Sequence, residues 1–179
     1  MPRYLALLRA INVGGHTVKM DRLRQLFEAL DLTQVETFIN SGNVAFVAKA
    51  GPASRLQKKI EAQLREALGY AVTTCLRTPG ELAAIAAYEA FDEPVPAGGG
   101  LYIAFVQAPV GAEVQKKLDT FQTEQDQFRV NGHEVYWWRG GRYMVSPLSS
   151  GGKFEKLLGA PATVRNATTV RKLAEKYPA

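Results

Sequence analysis

The sequence predicts an α+β fold of two units, and three observations carry that prediction. Residues 3–77 alternate strand-like and helix-like patterns in the order β-α-β-β-α-β. After the run Pro94-Val95-Pro96-Ala97-Gly98-Gly99-Gly100, the best linker candidate, strand, helix, hairpin and helix follow one another again. Each half has a hairpin marked by asparagine and glycine, at Asn40–Asn43 and at Asn131-Gly132. The first order is the split βαβ of ferredoxin-like folds. The expected units are therefore 1–78 and 79–179, the second with an extra C-terminal helix. The repeat is topological, without residue-level identity between the halves.

Arg3 to Ile11 (RYLALLRAI) is β-prone and reads as a buried strand. A loop, Asn12-Val13-Gly14-Gly15-His16, follows it. Leu23, Leu26, Phe27 and Leu30 then fall at i, i+3, i+4 and i+7, one apolar helix face. Asp21 stands before them as N-cap or first-turn acid. Val35 to Val47, broken at Asn40-Ser41-Gly42-Asn43, is the hairpin. Ser54 and Gln57 have capping-box spacing ahead of Leu56, Ile60, Leu64 and Leu68, and Gly69 stops that helix. Tyr70 to Arg77 reads as a strand. Thr78, Pro79 and Glu81 open a helix with a capping box and a first-turn proline. In the second half, Leu101 to Val106 is an apolar strand and Val114, Leu118 and Phe121 line a helix. Asn131-Gly132 joins two strands, a helix lies near Lys153–Leu158, an extended piece near Thr163, and a last helix over Thr168–Lys176.

The composition, 46% apolar, 22% charged and 9% aromatic over 179 residues, excludes disordered, collagenous and disulfide-scaffold classes. The single cysteine, Cys75, forms no internal disulfide. With two histidines it leaves too few soft ligands for a structural zinc site, so no metal is expected. No uncharged apolar run approaches the ~20 residues that span a bilayer, and Arg3 and Arg9 break a signal-peptide core. The expectation is a soluble, cytoplasmic, reduced protein with no membrane partner. Net charge is +5, which favours anionic partners. The charge is segregated: residues 1–77 carry eleven basic and six acidic groups, 78–138 three and nine, and 139–179 eight and two.

The first strand-to-helix loop is the leading chemical candidate. Gly14 and Gly15 let backbone amides approach a ligand, and Arg9 and Lys19 bracket the loop. Neither a phosphate-loop pattern nor dinucleotide-binding spacing is present. Ser149-Ser150-Gly151-Gly152-Lys153 is half a phosphate loop, with Pro147 where the first glycine belongs and Phe154 in place of the hydroxyl. Cys75 reads as a small buried hydrophobe within a strand. His16 and His133 read as surface histidines without an acidic orienter, and Asp92-Glu93 as solvated loop. Tyr136, Trp137, Trp138, Arg139, Arg142 and Tyr143 interleave aromatic and basic groups. Exposed on a sheet they would stack single-stranded bases; the commoner fate of strand aromatics is the core.

Three stretches carry a family resemblance. Ala6-Leu7-Leu8-Arg9-Ala10-Ile11-Asn12-Val13-Gly14-Gly15, then Ser41-Gly42-Asn43-Val44 with Phe46, and Arg165-Asn166 with Thr169-Val170 and Lys172-Leu173 resemble the bacterial domain-of-unknown-function family 1697. The resemblance implies a duplicated α/β-plait (ferredoxin-like) architecture and no established activity, substrate or cofactor. Its signature residues fall on Arg9, Asn12, Gly14, Gly15, Ser41, Gly42, Asn43, Arg165, Asn166 and Thr169. Ala10 departs from a usual glycine, and Ala167 from the tryptophan that usually follows Arg-Asn.

The expected function is binding of a small phosphate- or carboxylate-bearing anion, without a cofactor. Arg9 and Arg165 would counter its charge, Asn12 and Asn43 orient it, and Gly14, Gly15 and Gly42 admit it to the backbone. Two alternatives stand beside this: single-stranded nucleic-acid binding through the basic, aromatic C-terminal region, and a structural or interaction protein whose polar residues brace turns. The sequence leaves catalysis and oligomeric state open.

Overall fold

The structure is a computed structural model and describes residues 1–12, 14–141 and 152–179. Its described part is mixed α/β, with two four-stranded antiparallel sheets and six helices. The chain divides into two units, residues 1–83 with 173–179, and residues 84–172.

In the first unit, the apolar run at the N-terminus forms β1 (Arg3–Leu8) between β3 (Asn43–Val47) and β4 (Thr74–Arg77). With β2 (Thr33–Phe38) the sheet order is β2-β3-β1-β4. Tyr4, Ala6, Leu8, Val44, Phe46 and Leu76 share one face. Against it pack Leu23, Leu26 and Phe27 of α1 (Met20–Glu28) and Ile60 and Leu64 of α2 (Ala53–Leu68). Leu5, Leu7, Ala45 and Cys75 on the other face are buried too. A central strand buried on both faces reads as continuous apolar sequence rather than as alternation.

Several boundaries differ from the sequence reading, each for a local reason. β1 stops at Leu8, not Ile11, because Ala10 and Asn12 take left-handed φ values of 60° and 56° that a strand cannot continue through. α2 has Pro52 at its N-cap and no side-chain cap bond, so Ser54, already inside the first turn, forms no capping box with Gln57. Asp21 is a first-turn acid behind an uncapping Lys19. Gly69, with φ of 81°, does close α2, its N–H donating to the Arg65 carbonyl. The strand expected from Tyr70 begins only at Thr74.

The box at the head of α3 (Pro79–Ala87) is formed: the Thr78 N–H donates to Glu81 Oε2 at 2.7 Å, and the Glu81 N–H to Thr78 Oγ1 at 3.2 Å. The second sheet contains β5 (Gly100–Phe105), β6 (Asp126–Asn131), β7 (Glu134–Arg139) and β8 (Thr163–Asn166), in the order β6-β7-β5-β8. Its core joins Ala104, Phe128, Val135 and Trp137 to Val114 and Leu118 of α4 (Ala112–Asp119) and Phe154 of α5 (Lys153–Leu158). Phe121 lies beyond the end of α4 and is exposed, so only two of the three expected apolar residues line that helix. In the second hairpin the left-handed position is Gly132, at φ of 62°, and Asn131 ends β6.

α6 (Ala167–Lys176) ends the chain in a polar clasp on β2. Lys176 Nζ lies 3.2 Å from Glu36 Oε2, and the Tyr177 hydroxyl donates to the same oxygen at 3.0 Å. These bonds, from Lys176 and then Tyr177, hold the Glu36 carboxyl below its usual 4.5. A depressed carboxyl stabilises the fold above the ordinary glutamate range and loses that contribution as pH falls through its lowered value. Glu36→Gln is therefore expected to lower the melting temperature slightly at neutral pH. The difference from wild type should close on acidification in melts followed by circular dichroism; a difference independent of pH refutes the assignment. Among the described residues no helix is long and apolar enough to cross a membrane.

Candidate functional site

The left-handed residues that end β1 also build the leading candidate loop. Arg9 is half-buried, and its N–H donates to the Thr73 carbonyl at 2.9 Å. Ile11 is buried, whereas Gly14 and Gly15 are exposed, with φ values of 63° and 88° and no atom within 4 Å of where a Cβ would stand. Asn12 ties the loop together, its Oδ1 accepting from the Val18 N–H at 2.7 Å. Its Nδ2 donates to the Asn40 carbonyl at 3.1 Å, linking this loop to the β2–β3 turn.

The turn is joined to the loop a second time. The Leu8 N–H donates to the Gly42 carbonyl at 2.8 Å, and a Cβ on Gly42 would stand 3.0 Å from Ile11 Cβ. Asn43 is buried, and its Nδ2 donates to the Phe38 carbonyl at 3.1 Å and to Ser41 Oγ at 2.8 Å. Contacts of Leu8, Ile11 and Asn12 thus join the end of β1 and the loop after it to the Asn40–Asn43 turn. The structure also engages both asparagine side chains, expected to orient a ligand, in bracing the two loops. Ala10, Asn12, Gly14 and Gly15 share left-handed φ values, of 60°, 56°, 63° and 88°.

Two features of this region had no signal in the sequence. Ile39 is a β-branched residue at φ of 50° and is half-exposed beside the turn. The exposed His16 ring stacks on Tyr70, with centroids 3.9 Å apart at 23°. Burial pushes the Tyr70 phenol up, and its hydroxyl has no hydrogen-bond partner.

The other three signature residues lie in the second unit. Arg165 is buried on β8, Nη1 donating to Thr163 Oγ1 at 2.8 Å and to the Val164 carbonyl at 3.0 Å. Asn166 Oδ1 accepts from the Thr168 N–H at 2.8 Å and so caps α6, on whose first turn Thr169 is half-buried. Ala167 is buried, so the place of the family's usual tryptophan faces the interior.

Among the described residues, the aromatics of the aromatic and basic run do not form an open stacking platform. Tyr136, Trp137 and Trp138 are all buried, and the Tyr136 hydroxyl donates to the Ile85 carbonyl at 3.0 Å. Burial, with Glu134 and Tyr88 nearby, pushes that phenol far up. The Trp137 Nε1–H donates to Asp126 Oδ1 at 2.6 Å. Arg142, Tyr143 and the segment Ser149-Ser150-Gly151 lie outside the described residues. His133, expected at the surface, is half-buried with Nδ1 unpartnered. Cys75 is fully buried, and no group of three His, Cys, Asp or Glu among the described residues is placed to hold a metal.

Left-handed φ at Ala10 gives a physical reason for glycine at that position, because an L-residue pays roughly 1–2 kcal/mol there. Ala10→Gly is expected to raise stability by about 1 kcal/mol, read as a higher urea midpoint at unchanged slope. A lower midpoint would contradict the observed backbone.

Comparison with known proteins agrees with this architecture. A family model described as "Protein of unknown function (DUF1697)" matches residues 1–136. The solved structure of conserved bacterial protein SP0830 from Streptococcus pneumoniae is similar at a TM-score of 0.74, with 24% identity over 100% of this chain and 99% of that one. At that identity the likeness speaks for the fold alone. No curated protein matches the sequence.

Proposed function

The chain belongs to the DUF1697 family of proteins of unknown function, and from that premise we propose that the paired loops of its first unit bind a small phosphate- or carboxylate-bearing anion. The observation that carries this reading is the left-handed backbone at Ala10, Asn12, Gly14 and Gly15. At Ala10 and Asn12, which are not glycines, such backbone is strained; strained positions persist where the surroundings over-determine them, and they cluster at ligand-binding loops. Gly14 and Gly15 leave the backbone open to a guest, and Arg9 supplies positive charge at the loop's entrance. Asn12, Ser41, Gly42 and Asn43 act as the frame that holds the amides in place. In the second unit Arg165, Asn166 and Thr169 frame β8 and the start of α6. We read the two sheets, which share one strand order, as a duplicated ferredoxin-like plait whose copies run over 1–78 and 79–179.

A second reading, bracing without a ligand, is favoured by the internal bonds that occupy Asn12 and Asn43. Thermal-shift titration with inorganic phosphate, citrate and mononucleotides separates the two. Ligand binding to the native state alone raises the melting temperature with concentration. The anion reading expects that rise in wild type, and its loss in Arg9→Ala with the unliganded melting temperature within a degree or two of wild type. The backbone bond from residue 9 to Thr73 is untouched by that substitution. No shift in wild type, together with a lowered melting temperature in Arg9→Ala, establishes bracing instead.

A further inference from the structure

The second unit contains a cleft of about 620 Å³, within the range of small-molecule sites. Its floor is Trp138 and Leu101, cross-strand partners on β7 and β5 that face the same side of the sheet. The segment 86–95 after α3 lines it as a wall, and Arg171 of α6 belongs to the same lining. The long wall is fastened at both ends. At its start the Tyr136 hydroxyl holds the Ile85 carbonyl, and the Tyr88 and Tyr136 rings meet at 4.9 Å. At its end the Gly99 N–H donates to the Pro96 carbonyl, and Gly99 approaches the Arg139 carbonyl so closely that no Cβ fits there.

Both signs of charge line this space. Glu89, Asp92 and Glu93 line it from the wall segment, with Arg171 as the only opposing cation among its lining residues. None of these four forms an ion pair among the described residues. The same lining includes aromatic and aliphatic residues, Tyr88, Phe91, Trp138 and Leu101. Trp138 is 5% exposed, and its Nε1–H has no acceptor among the described residues. A buried donor left without an acceptor destabilises the fold, and an acceptor supplied from outside would satisfy it.

We infer that this cleft binds a small zwitterion with an apolar body, of the kind represented by an α-amino acid with an aromatic or branched side chain. Its ammonium lies on the carboxylates of Glu89, Asp92 and Glu93, its carboxylate on Arg171 and toward Trp138 Nε1, and its side chain against the aromatic surfaces. The site stands in the other unit from the anion loops and does not depend on them.

The test is titration by calorimetry and tryptophan fluorescence with three probes that share one body: L-phenylalanine, phenethylamine and 3-phenylpropionate. The expected order is saturable binding of phenylalanine, at least tenfold weaker binding of phenethylamine, and weaker still of phenylpropionate. Arg171→Ala should weaken phenylalanine about tenfold and leave phenethylamine unchanged. Glu89→Gln combined with Asp92→Asn should weaken both. These positions are exposed, so melting temperatures near wild type verify that the variants fold. Absence of saturable phenylalanine binding overturns the proposal. So does phenethylamine binding as tightly as phenylalanine, or phenylalanine binding that neither variant alters.

Discussion

Gly42→Ala is expected to cost the protein about 3 kcal/mol of stability, from a backbone term of roughly 1–2 and an overpacking term of roughly 1–3. Gly42 is buried at φ of 73°, where an L-residue is strained whatever the space around it. There is also no space: the added methyl would stand 3.0 Å from Ile11 Cβ, 3.1 Å from Leu8 Cβ and 3.2 Å from Ile11 Cγ1. Those neighbours belong to β1 and the loop after it, so the methyl can be accommodated only by separating the turn from the loop. Gly14→Ala and Gly15→Ala are the internal controls. They share the left-handed backbone but have open space where the methyl goes, so each should cost about 1 kcal/mol. Urea denaturation of the three variants measures the difference. Equal losses would show that Gly42 is kept for its backbone alone and that the packing of turn against loop is not the constraint. The same variant bears on function: if the anion loop needs the turn as its frame, Gly42→Ala, where it still folds, loses the anion-induced thermal shift.

The second large effect belongs to Trp137. Its ring stands among Tyr102, Phe128 and Phe154 at centroid distances of 5.9, 5.7 and 6.2 Å, and Arg139 lies 5.2 Å from its centroid. Trp137→Ala should cost about 4 kcal/mol, typical of a large aromatic deleted from a core. Trp137→Phe separates packing from hydrogen bonding. It keeps most of the apolar surface but leaves the buried Asp126 carboxylate without its indole donor. That alone should cost about 1–3 kcal/mol. In a double-mutant cycle with Asp126→Ala, the pair should lose less than the sum of the single variants, since removing the carboxylate removes the group left stranded. Strict additivity would mean that the 2.6 Å bond contributes nothing net.

What was readable from the chain is what short-range physics decides. The apolar spacing of Leu23, Leu26 and Phe27 and of Ile60 and Leu64 marks helices because residues three and four apart share a face. The Thr78 to Glu81 box closes within one turn, and Gly69 and Gly132 announce left-handed positions that few other residues tolerate. Where competing local signals existed, the stronger prevailed: Pro52 occupies the cap that Ser54 would have needed.

The candidate site was legible only in its membership. The sequence placed Arg9 to Gly15 and Ser41 to Asn43 on two loops, and the topology of β1 between β3 and β4 brings those loops together. Neither Ala10 nor Ile39 favours the left-handed conformation locally, so only the glycine usual at position 10 pointed to it, and nothing pointed to it at Ile39. Nor did the sequence reveal that Asn12 reaches Asn40 or that Gly42 presses on Ile11, contacts that exist only once distant segments are aligned. The same holds for Tyr136, Trp137 and Trp138, equally suited by sequence to an open sheet or a core until the residues packed on them are known.

By itself, then, the amino-acid sequence determined the succession of helices and strands, the two hairpins, the solitary buried thiol and the family. Those depend on interactions spanning a few residues, or on patterns read directly from the chain. Tertiary structure alone decided where β1 ends, which asparagines are consumed as braces, and which aromatics are hidden. Each of these is a competition between partners far apart in sequence, and its outcome is set by the free energy of packing and hydrogen bonding gained only when they meet.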